Sequence, residues 1–224
     1  MFKSEELLVN TFVNHLEVEN RSLNSWILRE VDCWQGRADV VKVNSHETVI
    51  YITDNQRKLL KQLTCANIIS VLHYGSPRTK EFLYNHLGTK NIDSWLKELL
   101  FEDIITEIAH DKFVISSNFK LPHLDLCAYE IKLYDWRRAL YQAIQYKGFS
   151  NSSYVVMPKR NVGPAIKNIE AFAANNIGLI HVDDEGKCEV VLKSIKSKPR
   201  RKSFNIIGTG IALETLNSKL MHRV

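Results

Sequence analysis

Apolar residues in the first 52 positions follow two different periods. Within residues 4–18, apolar side chains recur about every fourth position, which predicts a helix with one apolar face. Two apolar runs follow at 26–33 and 38–43, on either side of the turn-like segment 34–37, and they predict a β-hairpin. A third strand is predicted at 48–52.

Residues 54–118 have a helical pattern that ends in two short apolar runs. Ser76 followed by Pro77 is typical of a helix start, because serine caps free amides and proline fits the first helical position. Gly88 is typical of a helix end. The predicted helices cover 55–72, 77–87 and 91–100, and the predicted strands cover 104–108 and 113–116. Three helices followed by a two-stranded ribbon is the order of a winged helix-turn-helix.

Beyond Pro122 the chain returns to strands that alternate with helices. Gly148 is suited to end one of these helices, and segment 183–186 has the composition of a turn between two strands. The predicted strands cover 126–133, 154–157, 177–182 and 188–192, and the predicted helices cover 135–147 and 164–175. This alternation is typical of an α/β fold.

Composition narrows the class of protein. The chain has 224 residues, enough for one core with a small second unit, and a net charge of +5. Its four cysteines are too widely spaced for a zinc site. No apolar run approaches the roughly 20 residues of a membrane helix, and the N-terminal sequence lacks the features of a signal peptide. We therefore expect a cytoplasmic protein with reduced thiols and no membrane partner.

A carboxylate and a Glu-x-Lys pair form the strongest chemical pattern in the chain. Asp39 lies in one predicted strand, and Glu130 and Lys132 lie in another. Alternate residues of a strand face the same side, so Glu130 and Lys132 point together. Taken alone, such a pair is usually an exposed ion pair. If Asp39 lies on an adjacent strand, however, two carboxylates and an ammonium converge, which suits metal-dependent hydrolysis of a phosphodiester.

Mg²⁺, or Mn²⁺ in its place, is the expected cofactor, because Mg²⁺ prefers hard oxygen ligands and keeps several waters. Asp39, Glu130 and the carbonyl of Ile131 are the predicted metal ligands. Lys132 is expected to orient the attacking water or to stabilise charge that develops on the phosphoryl oxygens.

Segment 129–158 (YEIKLYDWRRALYQAIQYKGFSNSSYVVMP) and segment 175–186 (NNIGLIHVDDEG) resemble the resolvase-like members of the PD-(D/E)XK nuclease superfamily. The likeness covers residues 1–52 and 120–192. It implies an α/β fold with a restriction-endonuclease-like mixed sheet flanked by helices. It also implies an endonuclease that acts on DNA and, since such nucleases frequently dimerise, a homodimer.

The resemblance also implies roles for individual residues. Asp39 matches the first motif of the superfamily, and Glu130 with Lys132 matches the second. Gln142 matches a glutamine on the following helix that would position Lys132 or the attacking water, with Gln145 as the alternative. A glutamate of the first helix often adds to such sites. The candidates for that role are Glu5, Glu6 and Glu17, together with Glu30 on the strand before Asp39.

Two departures from the family pattern bear on the domain organisation. Ala38 stands where a proline usually precedes the first aspartate, and Asp39 and Glu130 are 91 positions apart. An inserted domain resembling a winged helix accounts for this spacing, because insertions at loops are tolerated when their ends meet. The predicted boundaries give a nuclease core at 1–52 and 120–192, the insert at 53–119 and a basic C-terminal segment at 193–224.

The insert and the C-terminal segment carry the predicted nucleic-acid contacts. A recognition helix presents polar side chains to the major groove, and a basic tail follows the phosphate backbone. The predicted nucleic-acid-binding residues are Arg78, Lys80, Lys90, Asn91, Lys97, Arg200, Arg201 and Lys202. Acidic residues interspersed in the insert leave scaffolding or protein contact open as its role. Trp34 and Trp136, which flank the motifs, are expected to be buried core residues in preference to base-stacking ones.

We therefore expect a Mg²⁺-dependent DNA endonuclease that acts in restriction, defence, transposition or repair. Two alternatives stay open. One is a non-catalytic DNA-binding protein, and the other is a protein-interaction subunit of a larger nucleic-acid assembly. Salt-dependent DNA affinity distinguishes the binder from the interaction subunit, and metal-dependent cleavage distinguishes the enzyme from both.

Overall fold

The computed structural model describes residues 2–19, 24–34, 36–47, 51–88 and 91–221, with side chains as far as residue 216. The helices are α1 (Glu5–Glu19), α2 (Asp54–Lys61), α3 (Leu63–Val71), α4 (Lys80–Leu87), α5 (Ile92–Phe101), α6 (Trp136–Tyr146), α7 (Gly163–Lys167), α8 (Ile169–Ala174) and α9 (Lys202–Met221). The strands are β1 (Ser25–Asp32), β2 (Arg37–Ser45), β3 (Arg78–Thr79), β4 (Ile105–Ala109), β5 (Lys112–Ile115), β6 (Leu124–Ile131), β7 (Ser152–Pro158), β8 (Gly178–Val182) and β9 (Cys188–Leu192). None of the helices in the described ranges combines the length and the apolarity needed to cross a membrane.

The chain folds into two compact units. Unit 1 comprises Met1–Thr48 and Leu124–Arg201, and unit 2 comprises Val49–His123 and Lys202–Val224. Unit 1 is therefore built from two separated segments of chain. The basic segment predicted at 193–224 is divided between the two units.

Unit 1 contains a mixed six-stranded sheet in the order β1-β2-β6-β7-β8-β9. β1, β2 and β6 pair antiparallel, β6, β7 and β8 pair parallel, and β9 is antiparallel to β8. The parallel neighbours are connected through α6 and through α7 and α8, since parallel strands require a crossover connection. The prediction of an α/β fold with a mixed sheet flanked by helices is confirmed.

Helices cover both faces of this sheet. The apolar stripe of α1 packs against a set of side chains that includes Tyr129 and Ile131 of β6. Helices α6, α7 and α8 cover the other face, where they pack against residues such as Val155 and Leu179. Successive strand residues alternate between faces, so Glu130, between Tyr129 and Ile131, points to the α6 side.

The ladder between β2 and β6 joins the two segments of unit 1. It runs from the pair Ser45–Leu124 to the pair Val40–Tyr129. Ser45 and Leu124 are thus cross-strand neighbours. The residues between them leave unit 1 and return to it at the same end of this ladder.

Unit 2 contains a three-stranded sheet in the order β3-β5-β4, together with helices α2 to α5 and α9. Helix α9 packs closely on α2, since a Cβ added at Gly210 would lie 3.0 Å from the Leu60 side chain. An ion pair of 2.6 Å between Lys61 and Glu214 joins the same two helices. A short third strand and a C-terminal helix are therefore added to the predicted order of three helices and a ribbon.

Two helix predictions in unit 2 are wrong in detail. The long helix at 55–72 is divided at Gln62, whose extended backbone (φ −79°, ψ 123°) separates α2 from α3. The next helix begins at Lys80 instead of directly after Ser76. Thr79 is its cap, since Thr79 Oγ1 accepts a hydrogen bond of 3.1 Å from the Phe82 amide. That helix ends at Gly88 (φ 61°), as predicted.

The strand predicted at 48–52 is not found where the structure can be assessed. Residues 48–50 lie outside the described residues, and residues 51–53 are not in a strand. Thr53 instead caps α2 in a capping box, in which its Oγ1 accepts from the Gln56 amide and its own amide donates to Gln56 Oε1.

Candidate metal centre

The carboxylates of Asp39 and Glu130 lie on the neighbouring strands β2 and β6. The ladder ends at Val40–Tyr129, and the next antiparallel positions are Asp39 and Glu130, whose side chains belong to the same face of the sheet. Beyond the ladder, Asp39 Oδ2 accepts a hydrogen bond of 2.7 Å from the Ile131 amide. The structure thus brings together two carboxylates that the sequence places in separate strands.

Glu130 is the most deeply buried carboxylate of this centre, with 1% of its side chain exposed. Its Oε2 atom is hydrogen-bonded to the Tyr146 hydroxyl. Its Oε1 atom forms an ion pair of 3.2 Å with Lys132 Nζ and has no other polar partner within the described ranges. Burial raises the pKa of Glu130 to about 7; the Asp39 carboxylate adds to the rise, and Tyr146 and Lys132 oppose it.

Lys132 lies between two carboxylates. Its Nζ atom is 3.2 Å from Glu130 Oε1 and 3.2 Å from Glu5 Oε2. Burial alone would lower the pKa of Lys132, but the charges of Glu130, Asp39 and Glu5 outweigh it and raise that pKa. Lys132 is therefore a fixed ammonium ion at the edge of the centre.

Of the three glutamates proposed on the first helix, Glu5 reaches the centre through its ion pair with Lys132. Glu6 lines the adjacent cleft. Glu17 lies twelve residues further along α1, about 18 Å from Glu5 at 1.5 Å per helical residue. It is too far away to contribute.

The Asp39 side chain and the backbone of Ile131 face each other just beyond the end of the β2–β6 ladder. Burial raises the pKa of Asp39, while the bond from the Ile131 amide and the charge of Lys132 lower it. The N–H and C=O groups of one strand residue point to the same side, so the Ile131 carbonyl also points toward the Asp39 side of β6. The bond from Ile131 occupies Oδ2 and leaves Asp39 Oδ1 for another ligand.

A cleft of about 340 Å³ opens beside this centre. It is lined by Glu5, Glu6, Val9, Arg29, Glu30, Asp39 and Ile131. Glu30 has a left-handed backbone (φ 54°), which is rare for a residue with a side chain, and its Oε2 forms an ion pair of 2.8 Å with Arg37 Nε. Such strain is concentrated at functional sites. Glu30 thus borders the cleft and is held by Arg37.

The side chain of Gln142 is on α6, and its amide oxygen makes no hydrogen bond within the described residues. This Oε1 atom is buried. Gln142 lies one helical turn before Tyr146, on the same side of α6. Gln145, the alternative, is half-buried. The role predicted for Gln142 stays a prediction.

Tyr146 is a residue of this centre that the sequence patterns did not single out. Its hydroxyl contacts both Glu130 Oε2 and the carbonyl of Arg37, the latter at 2.8 Å. Tyrosine at a buried helix position is usually an ordinary core residue, so spacing alone gave no signal. The position one turn after Gln142, on the helix face that turns toward Glu130, is the only feature that indicates it.

Two of the predicted nucleic-acid contacts in unit 2, Arg78 and Lys80, are engaged within the unit. The Arg78 guanidinium lies 4.7 Å from the ring centroid of Phe82, and Lys80 forms an ion pair with Asp93. Asn91 and Lys97 are exposed at the start and middle of α5. Lys90 lies outside the described residues.

The predicted tail contacts belong to two different units. The Arg200 and Arg201 amides donate to the carbonyls of Lys147 and Gly148, at the C-terminal end of α6 in unit 1. Lys202 begins α9 in unit 2, where its Nζ donates to the Ser70 carbonyl at 3.0 Å. The three residues therefore do not form a detached tail.

The two tryptophans have different environments. Trp136 is buried, as predicted. Trp34 is 60% exposed, so the prediction of a core position is wrong for it. Trp34 lies in the β1–β2 turn with a left-handed backbone (φ 62°), and its amide donates to Asp32 Oδ1 at 2.8 Å.

The outer face of α6 is basic and aromatic. Arg137, Arg138 and Tyr141 are exposed there, Tyr141 to 65%, and α6 carries no acidic residue. The Arg137 guanidinium lies 4.6 Å from the Trp136 ring centroid. The buried side of the same helix contacts Glu130 through Tyr146.

Comparison of the chain with family models, with curated proteins and with solved structures gave no significant match.

Proposed function

We propose that this protein is a divalent-metal-dependent nuclease whose centre is formed by Asp39, Glu130 and Lys132. The observation that supports the proposal is the buried Glu130 carboxylate, whose Oε1 atom forms an ion pair of 3.2 Å with Lys132 Nζ and whose charge is felt together with that of Asp39. The carboxylates of Glu130, Asp39 and Glu5 surround one ammonium, Lys132, so the excess negative charge favours binding of a further cation. The proposal includes a restriction-endonuclease-like arrangement of unit 1.

The donor set suits Mg²⁺ or Mn²⁺. Asp39 Oδ1, Glu130 Oε1 and the Ile131 carbonyl are hard oxygen donors. Asp39 and Ile131 line the cleft, which has room for waters and a phosphate. When bound, such an ion supplies charge neutralisation at the phosphoryl oxygens and lowers the pKa of a water.

The chain's own residues supply positioning and charge. The Lys132 ammonium is placed to donate to a phosphoryl oxygen or to the attacking water as negative charge develops. Glu5 and Glu130 hold that ammonium from two sides at 3.2 Å each. Hydrolysis adds one water to the phosphorus and breaks one P–O bond, leaving a phosphate monoester and a hydroxyl end.

The outer face of α6 supports nucleic acid as the substrate. Its two arginines are suited to phosphate contacts, and the exposed Tyr141 ring is suited to base stacking. This face is added to the insert and the tail as a predicted nucleic-acid contact. The cysteines in the described ranges are free thiols, which suits a reducing cytoplasm.

The decisive experiment is cleavage of supercoiled plasmid with Mg²⁺ or Mn²⁺. Asp39→Asn, Glu130→Gln and Lys132→Met are expected to abolish cleavage. The matched control is Asp125→Asn, because Asp125 is also a carboxylate of β6 paired with a lysine, Lys196, at 2.5 Å. It lies about 17 Å along the strand from Glu130. Equal activity in the wild type and all four variants would reject the proposed centre.

An exposed aromatic side chain at a groove of unit 2 favours a separate binding role for that unit. Phe101 is 87% exposed and, with Leu59, lines a groove of about 530 Å³ between α2 and α5, where Lys58 and Lys97 face Glu98 and Glu102. Mixed charge around an exposed aromatic ring suits a protein partner better than DNA. We propose that unit 2, which has an order like that of a winged helix, binds protein. DNA affinity that falls on Lys97→Ala but is unchanged by Phe101→Ala would favour DNA instead.

A further inference from the structure

We propose that Tyr146 is a positioning residue that confines Glu130 to one-oxygen metal coordination and thereby favours Mg²⁺ over Ca²⁺. This inference rests on the proposed metal centre and assigns a function to a residue outside the predicted catalytic set. It follows from the contacts of one hydroxyl group.

The Tyr146 hydroxyl is fixed from several directions. The side chain is fully buried, and its hydroxyl contacts Glu130 Oε2 and the Arg37 carbonyl, the latter at 2.8 Å. Its ring packs beside Phe149, with 6.0 Å between centroids, and a Cβ added at Gly36 would lie 3.5 Å from Tyr146 Cε1. The hydroxyl therefore has one position, set by α6 and by the β1–β2 hairpin.

This position makes the two oxygens of Glu130 unequal. Oε2 is held by the phenol, whereas Oε1 forms an ion pair of 3.2 Å with Lys132 Nζ. A phenol has one proton, and an ionised Glu130 and the Arg37 carbonyl can both only accept it, so the proton is shared between these two acceptors. The phenol oxygen lies against Oε2 and hinders an ion from binding both oxygens of Glu130 at once, which leaves Oε1 as the preferred oxygen for the ion.

Ca²⁺ and Mg²⁺ differ in how readily they bind both oxygens of one carboxylate. Mg²⁺ requires near-octahedral geometry and binds carboxylates together with waters, whereas Ca²⁺ takes six to eight oxygens and accepts bidentate carboxylates. A carboxylate that can offer only one oxygen therefore disfavours Ca²⁺. Removing the phenol oxygen releases Oε2 and permits bidentate binding.

The test is a comparison of metal affinities by titration calorimetry in the full-length protein. Tyr146→Phe is expected to raise the Ca²⁺ affinity relative to the Mg²⁺ affinity by about tenfold, the size of one charge-assisted contact. Tyr74→Phe is the matched control, because it also removes one hydroxyl that donates to a carbonyl, that of Phe119 at 3.1 Å. It is expected to leave the ratio unchanged.

The outcomes separate this inference from the proposed function. If the wild type binds neither ion, the proposed metal centre is wrong. If the wild type binds Mg²⁺ and Glu130→Gln does not, but Tyr146→Phe has the wild-type ratio, the centre stands and the role of Tyr146 is overturned. An equal loss of both affinities would also overturn it, since that is the result of a purely structural role.

A second measurement does not depend on the folding of any variant. A crystal structure of the wild type with Mn²⁺, located by its anomalous signal, is expected to show one Glu130 oxygen, Oε1, on the ion and Oε2 on the Tyr146 hydroxyl. Bidentate coordination by Glu130 in that crystal would overturn the inference.

Discussion

The amide of Ile131 donates a hydrogen bond of 2.7 Å to Asp39 Oδ2 across 92 positions of sequence. It links β2 to β6 just beyond the last backbone pair of their ladder. The same bond orients the Asp39 carboxylate and leaves its other oxygen available. The Asp39 side chain thus contributes both to stability, through Oδ2, and to the candidate centre, through Oδ1. Substitutions of Asp39 can distinguish these two contributions.

Asp39→Asn and Asp39→Ala are expected to differ in stability. Asparagine keeps an acceptor for the Ile131 amide and removes a charge that burial disfavours, so the metal-free variant is expected to be at least as stable as the wild type. Alanine leaves that amide unpaired, which costs about 1–3 kcal/mol. Urea unfolding in the presence of a chelator measures both. Equal stability of the two variants would contradict a role for the bond.

The burial of Glu130 predicts a pH dependence of stability. Its pKa rises from 4.5 in the unfolded chain to about 7 in the folded protein, so the folded state binds the extra proton between these values. The stabilisation is fully present below pH 4.5 and is lost as the pH rises through 7. Between pH 5 and pH 8 the metal-free wild type is expected to lose about 2–3 kcal/mol more than Glu130→Gln.

The measurement for this prediction is the free energy of unfolding at several pH values with a chelator present. Groups away from the centre titrate alike in the wild type and in Glu130→Gln, so the difference between the two proteins reports Glu130 together with its coupling to Asp39 and Lys132. Parallel pH curves for the two proteins would show that Glu130 is not the source of the dependence. Added Mg²⁺ is expected to flatten the wild-type curve, because the ion competes with the proton.

The outer face of α6 is expected to contribute to nucleic-acid affinity. Replacing Arg137 and Arg138 together by alanine removes two phosphate contacts, so the slope of log affinity against log salt is expected to fall by about 1.8. Fluorescence anisotropy with labelled DNA measures it. Arg160→Ala is the control, because Arg160 is engaged by Asp184 at 2.6 Å. A slope that falls equally in the control would count against a specific role for α6.

Gly178 is expected to be intolerant of any side chain. A Cβ there would lie 2.1 Å from Tyr154 Cδ1, and the Tyr154 ring is itself stacked on Tyr129 at 5.6 Å between centroids. Gly178→Ala is therefore expected to cost about 1–3 kcal/mol of stability through overpacking. Gly163→Ala is the control, since a Cβ at Gly163 meets no atom within 4 Å. A smaller cost of Gly178→Ala in a Tyr154→Ala background than in the wild type would identify the clash as the cause.

Sequence periodicity located the carboxylates but not the group that orients Glu130. The alternation of strand residues was enough to place Glu130 and Lys132 on one side of β6, and the structure brings Asp39 beside them. Tyr146 was not predicted because its contact with Glu130 joins a helix to a strand. Sequence periodicity relates positions within one element and gives no information on contacts between elements.

The start of α4 and the exposure of Trp34 were predicted wrongly because local sequence preference was compatible with more than one structure. Ser76 and Thr79 are both suitable caps, and the pairing of Arg78 and Thr79 with β5 decides for Thr79. The exposure of Trp34 follows from its place in a turn, which its apolar character does not reveal. Tertiary context overrides local preference in both cases.

The division of unit 1 into two segments has a consequence for the newly made protein. Glu5 and Asp39 are synthesised early, but their partners Glu130 and Lys132 emerge from the ribosome only after all of residues 49–123 have been made. Pairing of β2 with β6 closes the long loop between them, and these side chains meet only after that pairing. Closing such a long loop is a slow step in folding. Under the proposed function, a nascent chain that ends before Lys132 has no complete centre and cannot cleave nearby nucleic acid.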